Sequence, residues 1–233
     1  MSISASDMEK TENMVYEDML KSGMHFGRRR TVYNPGMSKF VFTIRNGICI
    51  IDLIKTRGEI DKSVKFLKET ISTNGLVLFV GLTKQSIEKT KELAESLNMP
   101  YVVNRWIGGT FTNFKVISSR VKALEEMERQ QKSGELDKYT KKEKLMFERK
   151  IAKLRNHFDG IRKLSRLPDA IFVSSLKESA LPINEARIMG VKVVSIANTD
   201  ANPRGVEFVI PGNDRSKKSV DLIIDMMKEE LKA

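Results

Sequence analysis

Leu76-Val77-Leu78-Phe79-Val80-Gly81-Leu82-Thr83-Lys84 is the stretch that decides the fold. Leu76–Val80 is apolar without a break, the pattern of a strand covered on both faces rather than one half-exposed to water. A helical pattern follows at once over Thr83–Leu97, with Ile87, Leu93, Ala94 and Leu97 on one side, and then a short strand, Tyr101–Val103. Strand, helix and strand in that order predict a parallel crossover. Toward the C-terminus the rhythm returns: Ala170–Val173, a helix around Glu178–Met189, Val193–Ile196, Phe208–Ile210 and a last helix from Asp214. The expectation is an α/β chain, a three-layer α/β/α sandwich on a mostly parallel, doubly wound sheet of the flavodoxin or Rossmann-like kind.

Two segments depart from this rhythm. Upstream, Met14, Val15, Met19 and Leu20 suggest a short helix that Gly23 stops, preceded by a polar tail. His25-Phe26-Gly27-Arg28-Arg29-Arg30 and Tyr33-Asn34-Pro35-Gly36 read as loop and turn. Phe40–Arg45 and Ile48–Asp52 are β-prone, and Asn46-Gly47 between them is a hairpin signal, because both turn residues must take positive φ. Thr56-x-x-Glu59 reads as a capping box, with Ile60, Val64, Leu67 and Ile71 following at helical spacing. The second departure lies between Tyr101–Val103 and Ala170–Val173, a gap too long for a simple crossover. Thr112–Lys132 carries Ile117, Val121, Leu124 and Met127, and Gly134 breaks it. Thr140-x-x-Glu143 is a second capping box, followed by Phe147, Ile151, Leu154, Phe158 and Ile161 at steps of four and three. Two matched apolar seams predict an inserted antiparallel coiled-coil hairpin. The domain division expected is residues 1–104 with 167–233 as the sandwich and 105–166 as the hairpin.

Charge singles out the same two segments. The 233 residues hold 41 Lys and Arg against 30 Asp and Glu, a net of +11, with a sequence pI of about 9.6. Such a surplus points to a polyanionic partner, nucleic acid or an anionic membrane. Lys115 to Arg166 holds 16 basic and 8 acidic residues, a net of +8. Between Asp18 and Asp52 there is no acid but six bases, Lys21, Arg28, Arg29, Arg30, Lys39 and Arg45. Charged coiled-coil faces are often merely solvated. Two separate basic segments on a near-neutral body favour phosphate-backbone binding instead. No run approaches the roughly 18 apolar residues of a membrane span, and no secretory signal is legible, so the reading places the chain in the cytoplasm. One cysteine, Cys49, and two histidines, His25 and His157, allow no internal disulfide and little for a metal site.

Arg105-Trp106-Ile107-Gly108-Gly109-Thr110-Phe111-Thr112-Asn113-Phe114 is the most informative motif. It leaves a strand and opens a helix, so its glycines allow close approach and its backbone N–H groups are available to an anion. Arg105 suits a phosphate. Trp106 either stacks on a base or packs at the hinge where the chain leaves the sheet. Gly81-Leu82-Thr83-Lys84 lacks the spacing of a phosphate loop, and an N-cap at Thr83 is the simpler reading. Asp200, in Asn198-Thr199-Asp200-Ala201-Asn202-Pro203, lies at the strand edge where such sheets bind ligands; it is a possible general base or part of a polar turn. Asn213 or Asp214 reads as the cap of the last helix. No Ser, Cys and His assemble into a nucleophilic triad, and no enzyme activity is expected.

Taken together, these stretches resemble the bacterial-type family of small-subunit ribosomal protein S-two along nearly the whole chain. The resemblance is carried by Gly23-Met24-His25-Phe26-Gly27, Asn34-Pro35, Arg45-Asn46-Gly47-Ile48, Ile50-Ile51-Asp52-Leu53 and Phe79-Val80-Gly81. It continues through Arg105-Trp106-Ile107-Gly108-Gly109-Thr110, Thr112-Asn113-Phe114, Leu167-Pro168-Asp169-Ala170, Asn184-Glu185-Ala186 and Ile210-Pro211-Gly212-Asn213-Asp214. It implies a structural, non-enzymatic constituent of the small ribosomal subunit, an α/β sandwich with a coiled-coil insertion that docks late in assembly and contacts small-subunit rRNA. The implied partners are that rRNA and neighbouring ribosomal proteins, with no cofactor, no small-molecule substrate and no membrane. The chain departs from the family pattern at Arg28, Tyr33 and Gly36, where the family usually carries His, Trp and Lys.

The residues expected to bind RNA are Arg28, Arg29, Arg30, Lys39, Arg45, Arg105, Trp106, Lys115, Arg120, Lys122, Lys141, Lys142, Arg149 and Lys153. Little base readout is expected, since A-form RNA is recognised mainly by shape and backbone. Two rivals stand beside this reading. An RNA-modifying enzyme on a Rossmann-like sheet needs a cofactor turn that Gly81-Leu82-Thr83-Lys84 serves poorly. A membrane-surface adaptor needs an apolar face on the hairpin beyond its own seam.

Overall fold

The structure, a computed structural model, describes residues 14–133 and 140–232. Five parallel strands form the central sheet: β4 (Val77–Val80), β5 (Tyr101–Val102), β6 (Ala170–Val173), β7 (Lys192–Ala197) and β8 (Phe208–Pro211). Their spatial order is β5-β4-β6-β7-β8, so the winding reverses between β4 and β6 as in flavodoxin-like sheets. β4 and β6 are buried at every position, which is why they read as unbroken apolar runs.

Alternate residues of each strand feed two separate cores. On one face Val77, Phe79, Ala170, Phe172, Val194 and Ile196 meet helices α2 (Leu53–Ser72), α3 (Ile87–Ser96) and α7 (Lys217–Lys232). On the other, Leu78, Val80, Ile171, Val173 and Val193 meet α6 (Ala180–Ile188) together with α4 (Phe114–Lys132) and α5 (Lys141–Phe158). The three layers anticipated from the strand pattern are therefore present. The seam residues Ile117, Val121, Leu124, Ile151, Phe158 and Ile161 belong to the same core cluster as the sheet, so the roots of α4 and α5 grow out of the sandwich without a gap. Gly134, read as the break between these helices, lies outside the described residues, as does the N-terminal tail.

Beside the sandwich sits a small antiparallel sheet in the order β1-β3-β2, made of β1 (Phe26–Arg29), β2 (Val41–Arg45) and β3 (Ile48–Ile51). The Asn46-Gly47 hairpin is confirmed, with φ of 50° and 73° at the two turn residues. β1 corrects the reading of that basic stretch as loop. Arg residues and a glycine give no apolar alternation, yet the glycine is what admits the strand. A Cβ on Gly27 would stand 2.7 Å from the Cys49 carbonyl oxygen and from Thr199 Cγ2. Residues 14–21 form helix α1.

Helix ends differ from expectation in three places. α2 begins at Leu53 because Asp52 is its N-cap, accepting from the Ile54 and Lys55 N–H groups at 3.1 and 3.4 Å. The Thr56 hydroxyl instead donates to the Pro211 carbonyl, 2.9 Å away. α3 starts only at Ile87, and the Thr83 hydroxyl pairs with that of Ser86 in the preceding turn. α7 starts at Lys217, and Asp214 faces inward rather than capping it. The capping box at Thr140 and Glu143 forms as read.

Candidate nucleic-acid interface

Twelve of the fourteen cations and aromatics picked out by sequence stand exposed: Arg29, Arg30, Lys39, Arg45, Arg105, Lys115, Arg120, Lys122, Lys141, Lys142, Arg149 and Lys153. Among the described residues none of the twelve makes an ion pair. Several cations of the body are paired. Arg57 pairs with Asp61 and Glu230, Lys89 with Glu92 and Asp225, Lys217 with Glu88, and Lys228 with Glu92. Part of the body's charge is neutralised in this way, as is that of Arg129, Arg155, Arg162 and Arg166 in the second segment, whereas the twelve face solvent.

In the first segment the backbone is fixed by three long-range bonds. Arg28 N–H donates to the Thr199 hydroxyl (2.8 Å), Asn34 N–H to the Thr199 carbonyl (2.9 Å), and Arg30 N–H to the Gly47 carbonyl (2.8 Å). Arg29 and Arg30 come to stand beside the hairpin turn in a shallow depression they share with Thr31, Asn46, Gly47 and Ile48. Arg45 is the residue before that turn. Lys39 ends a 3-10 helix over Pro35–Phe40, its ammonium 4.7 Å above the Phe40 ring.

Arg28 alternates inward along β1. Its guanidinium lies 3.7 Å from Asp200 and 4.0 Å from Asp214, carboxylates whose side chains are 5% and 6% exposed. Asp200 also takes the Lys177 ammonium at 2.8 Å, and Asp214 accepts from the Ser175 hydroxyl (2.7 Å) and the Asn198 amide (3.1 Å). Arg28 is thus a counterion that ties the small sheet to two loops at the carboxyl edge of the large one, and their acids in turn hold Ser175 and Lys177. Asp200, held between two cations, is committed to structure rather than to proton transfer.

The motif around Gly108-Gly109 does bind an anion, but the anion is the chain's own Glu185 on α6. Its carboxylate accepts from Trp106 Nε1 (3.0 Å) and from the backbone N–H groups of Gly109 (2.9 Å), Phe111 (2.9 Å) and Thr112 (3.4 Å). Burial pushes the Glu185 carboxyl up, yet these donors outweigh it and leave the group below the usual carboxylate range. Trp106 is buried edge-on against Phe111 at 5.0 Å, so its place is at the hinge and not on the surface. Arg105, beside it, opens onto a cleft lined also by Lys91, Asn104, Asn156 and His157. Sequence reasoning gave Glu185 no role of its own; it stood only within Asn184-Glu185-Ala186, a carboxylate on the helix that follows β6.

On α4 and α5 the exposed cations ride on a locked root. Glu128 of α4 takes Arg155 of α5 and two nitrogens of Arg162 at 2.6 and 2.8 Å. The Arg162 hydrogen bonds bring its carboxyl down to about 2 against the opposing effect of burial, with Arg155 adding to the drop. Leu145 and Met146 are exposed on α5, so the seam does not use every apolar residue of the insertion.

At the reversal of the sheet, where doubly wound folds seat nucleotides, the space is filled by fully buried hydroxyls. Ser174 donates to Ser86 at 2.8 Å, and Ser86 to the Thr83 carbonyl at 3.0 Å. A Cβ on Gly81 would stand 2.6 Å from the Thr90 hydroxyl oxygen. Among the described residues no three His, Cys, Asp or Glu side chains converge on a metal position, and no helix is long and apolar enough to cross a membrane.

Comparison with known proteins follows the same outline. A family model described as Ribosomal protein S2 matches residues 19–233. A Bifidobacterium longum protein named small ribosomal subunit protein uS2 is 44% identical over 215 residues, covering 91% of this chain and 76% of its own length. A Thermus thermophilus protein of the same name is 40% identical over 208 residues, covering 89% and 81%.

Proposed function

The chain belongs to the ribosomal protein S2 family, and from that premise we propose that it is a structural constituent of the small ribosomal subunit, held there by electrostatic docking on rRNA. The family is structural and non-enzymatic, and its place is the cytoplasmic ribosome. The observation that carries the docking reading is the set of twelve exposed cations without an ion partner among the described residues: four in or beside the small sheet, seven on α4 and α5, and Arg105 after β5. Exposed cations without an acidic partner, concentrated on two segments, are suited to displace counterions from a phosphate backbone.

In this reading residues 1–104 with 167–233 form the body and 105–166 the inserted arm. Arg29, Arg30, Lys39 and Arg45 take one stretch of RNA. Lys115, Arg120, Lys122, Lys141, Lys142, Arg149 and Lys153 take another, and Arg105 stands between. Arg28 and Trp106 act by holding these groups in place. Neighbouring ribosomal proteins supply the remaining contacts. The test is sucrose-gradient fractionation of cell lysate followed by immunodetection. Co-migration with small subunits, lost after a high-salt wash, is expected; a protein found only in the soluble fractions at physiological salt contradicts the reading.

A further inference from the structure

We propose that Asn46 is a site of spontaneous modification: the Gly47 backbone nitrogen displaces its side-chain amide and leaves aspartate or isoaspartate in the turn beside Arg29, Arg30 and Arg45. Asn-Gly is the dipeptide most open to this reaction, because glycine puts no side chain in the path of its own nitrogen. The chain holds two such pairs, Asn46-Gly47 and Asn74-Gly75. Both asparagines are exposed and both are left-handed, with φ of 50° and 56°. What differs is the attacking nitrogen. Gly75 is buried at the end of α2, where its N–H donates to the Thr70 carbonyl (2.8 Å) and the Asn74 N–H to that of Ile71 (3.0 Å). Arg166 holds the Asn74 carbonyl as well, at 3.1 Å. A Cβ on Gly75 would run into Thr70, so that backbone has no room to turn. Gly47 is exposed, and the pairing of Arg45 with Ile48 closes the hairpin without its N–H. Neither that N–H nor the Asn46 side chain has a hydrogen-bond partner among the described residues. Nothing lies within 4 Å of where a Cβ on Gly47 would stand.

The reaction balances with water alone. The Gly47 nitrogen gives up its proton and bonds to the Asn46 side-chain carbonyl carbon; the bond from that carbon to the amide nitrogen breaks, and ammonia leaves. Water then opens the cyclic imide at either carbonyl, giving aspartate or isoaspartate. Arg29 and Arg30 share a shallow depression with Asn46 and Gly47. Their charge favours both the anionic nitrogen and the oxyanion that forms on the attacked carbonyl. Either product puts a carboxylate where Arg29, Arg30 and Arg45 stood without an acid. Isoaspartate also lengthens the backbone just before Gly47, whose carbonyl accepts the Arg30 N–H at 2.8 Å. The consequence, which rests on the function argued above, is a weaker hold on phosphate.

The test ages the full chain at 37 °C and neutral pH and reads both sites by peptide mass spectrometry, with methyltransferase labelling for isoaspartate. Conversion at Asn46 is expected to exceed that at Asn74 by at least about tenfold, since Asn74 reacts only after local opening. In urea the two sites should convert at similar rates, which assigns the difference to the fold. Similar rates in the folded chain, or conversion at Asn74 first, overturn the proposal. So does a folded chain in which Asn46 stays intact while the urea sample reacts. RNA binding is a separate readout. Asn46→Asp should shrink the slope of log K against log salt by about 0.7–0.9, the share of one phosphate contact taken by the new acid. Asn46→Gly keeps a turn that allows positive φ at both positions, and it should bind RNA equally before and after ageing, whereas the parent protein loses affinity. Converted protein that binds RNA as tightly as fresh protein overturns the consequence. Fresh protein that binds no RNA brings down the function argued above and leaves the modification standing.

Discussion

Glu185 is the residue on which the hinge turns. Four donors converge on one carboxylate that is 5% exposed, and all four come from the glycine-rich exit from the sheet, three of them backbone N–H groups. Glu185→Ala strands those donors, and a loss of roughly 3–5 kcal/mol in urea unfolding is expected. Because its folded pKa lies below the unfolded value, the stabilisation is full above about pH 4.5 and fades as pH falls through the folded pKa. The acid limb of stability in the parent protein should therefore be steeper than in Glu185→Gln, measured as unfolding free energy between about pH 3 and pH 6. Arg28 gives a contrasting prediction. Arg28→Ala takes from Asp214 its cation and from Asp200 one of two, Lys177 remaining, and is expected to cost roughly 1–3 kcal/mol of stability. Phosphate affinity should fall less than in Arg29→Ala, a comparison that filter binding makes directly. Sequence alone identified the glycine-rich loop as an anion site but not its occupant, because Glu185 is 76 residues from Gly109 and only the folded sheet brings them together. The same holds for Arg28: strand alternation turns it away from Arg29, and that alternation is invisible when β1 reads as loop.

The elements whose signals are local were legible, and those that depend on distant neighbours were not. Thr140 and Glu143 form their capping box, and Asn46-Gly47 makes its turn, because each motif satisfies itself within four residues. β1 exists only because β3 and Thr199 accept it, and α2 is capped by Asp52 because Thr56 is drawn to Pro211. The root of α4 and α5 also depends on long-range pairing, through Glu128 with Arg155 and Arg162. With its carboxyl brought down to about 2, Glu128 contributes stability that is whole above about pH 4.5 and disappears as pH approaches 2. Glu128→Gln should speed amide exchange at the root of α4 at pH 7, while exchange in β4 and β6 stays as in the parent protein. On the small sheet, the double change Arg29→Ala and Arg30→Ala should lower RNA affinity uniformly across sequences. The slope of log K against log salt should shrink by about 1.5, the share of two phosphate contacts.

Across the whole molecule, the sandwich is a spacer that fixes where two sets of cations stand. Its strand order was foreseeable only as a class. The apolar runs identify buried parallel strands, while the reversal between β4 and β6 follows from packing that no local pattern records. The net charge of +11 was legible as a total and as two concentrations, but which cations stay unpaired emerged from the ion pairs of the body. A density map of small subunits purified from cells carrying this chain tests the account most directly. The account predicts Arg29, Arg30 and Arg45 within contact of one rRNA backbone segment, and the α4 and α5 cations within contact of another. A map with the protein bound and both sets of side chains facing open solvent would contradict it.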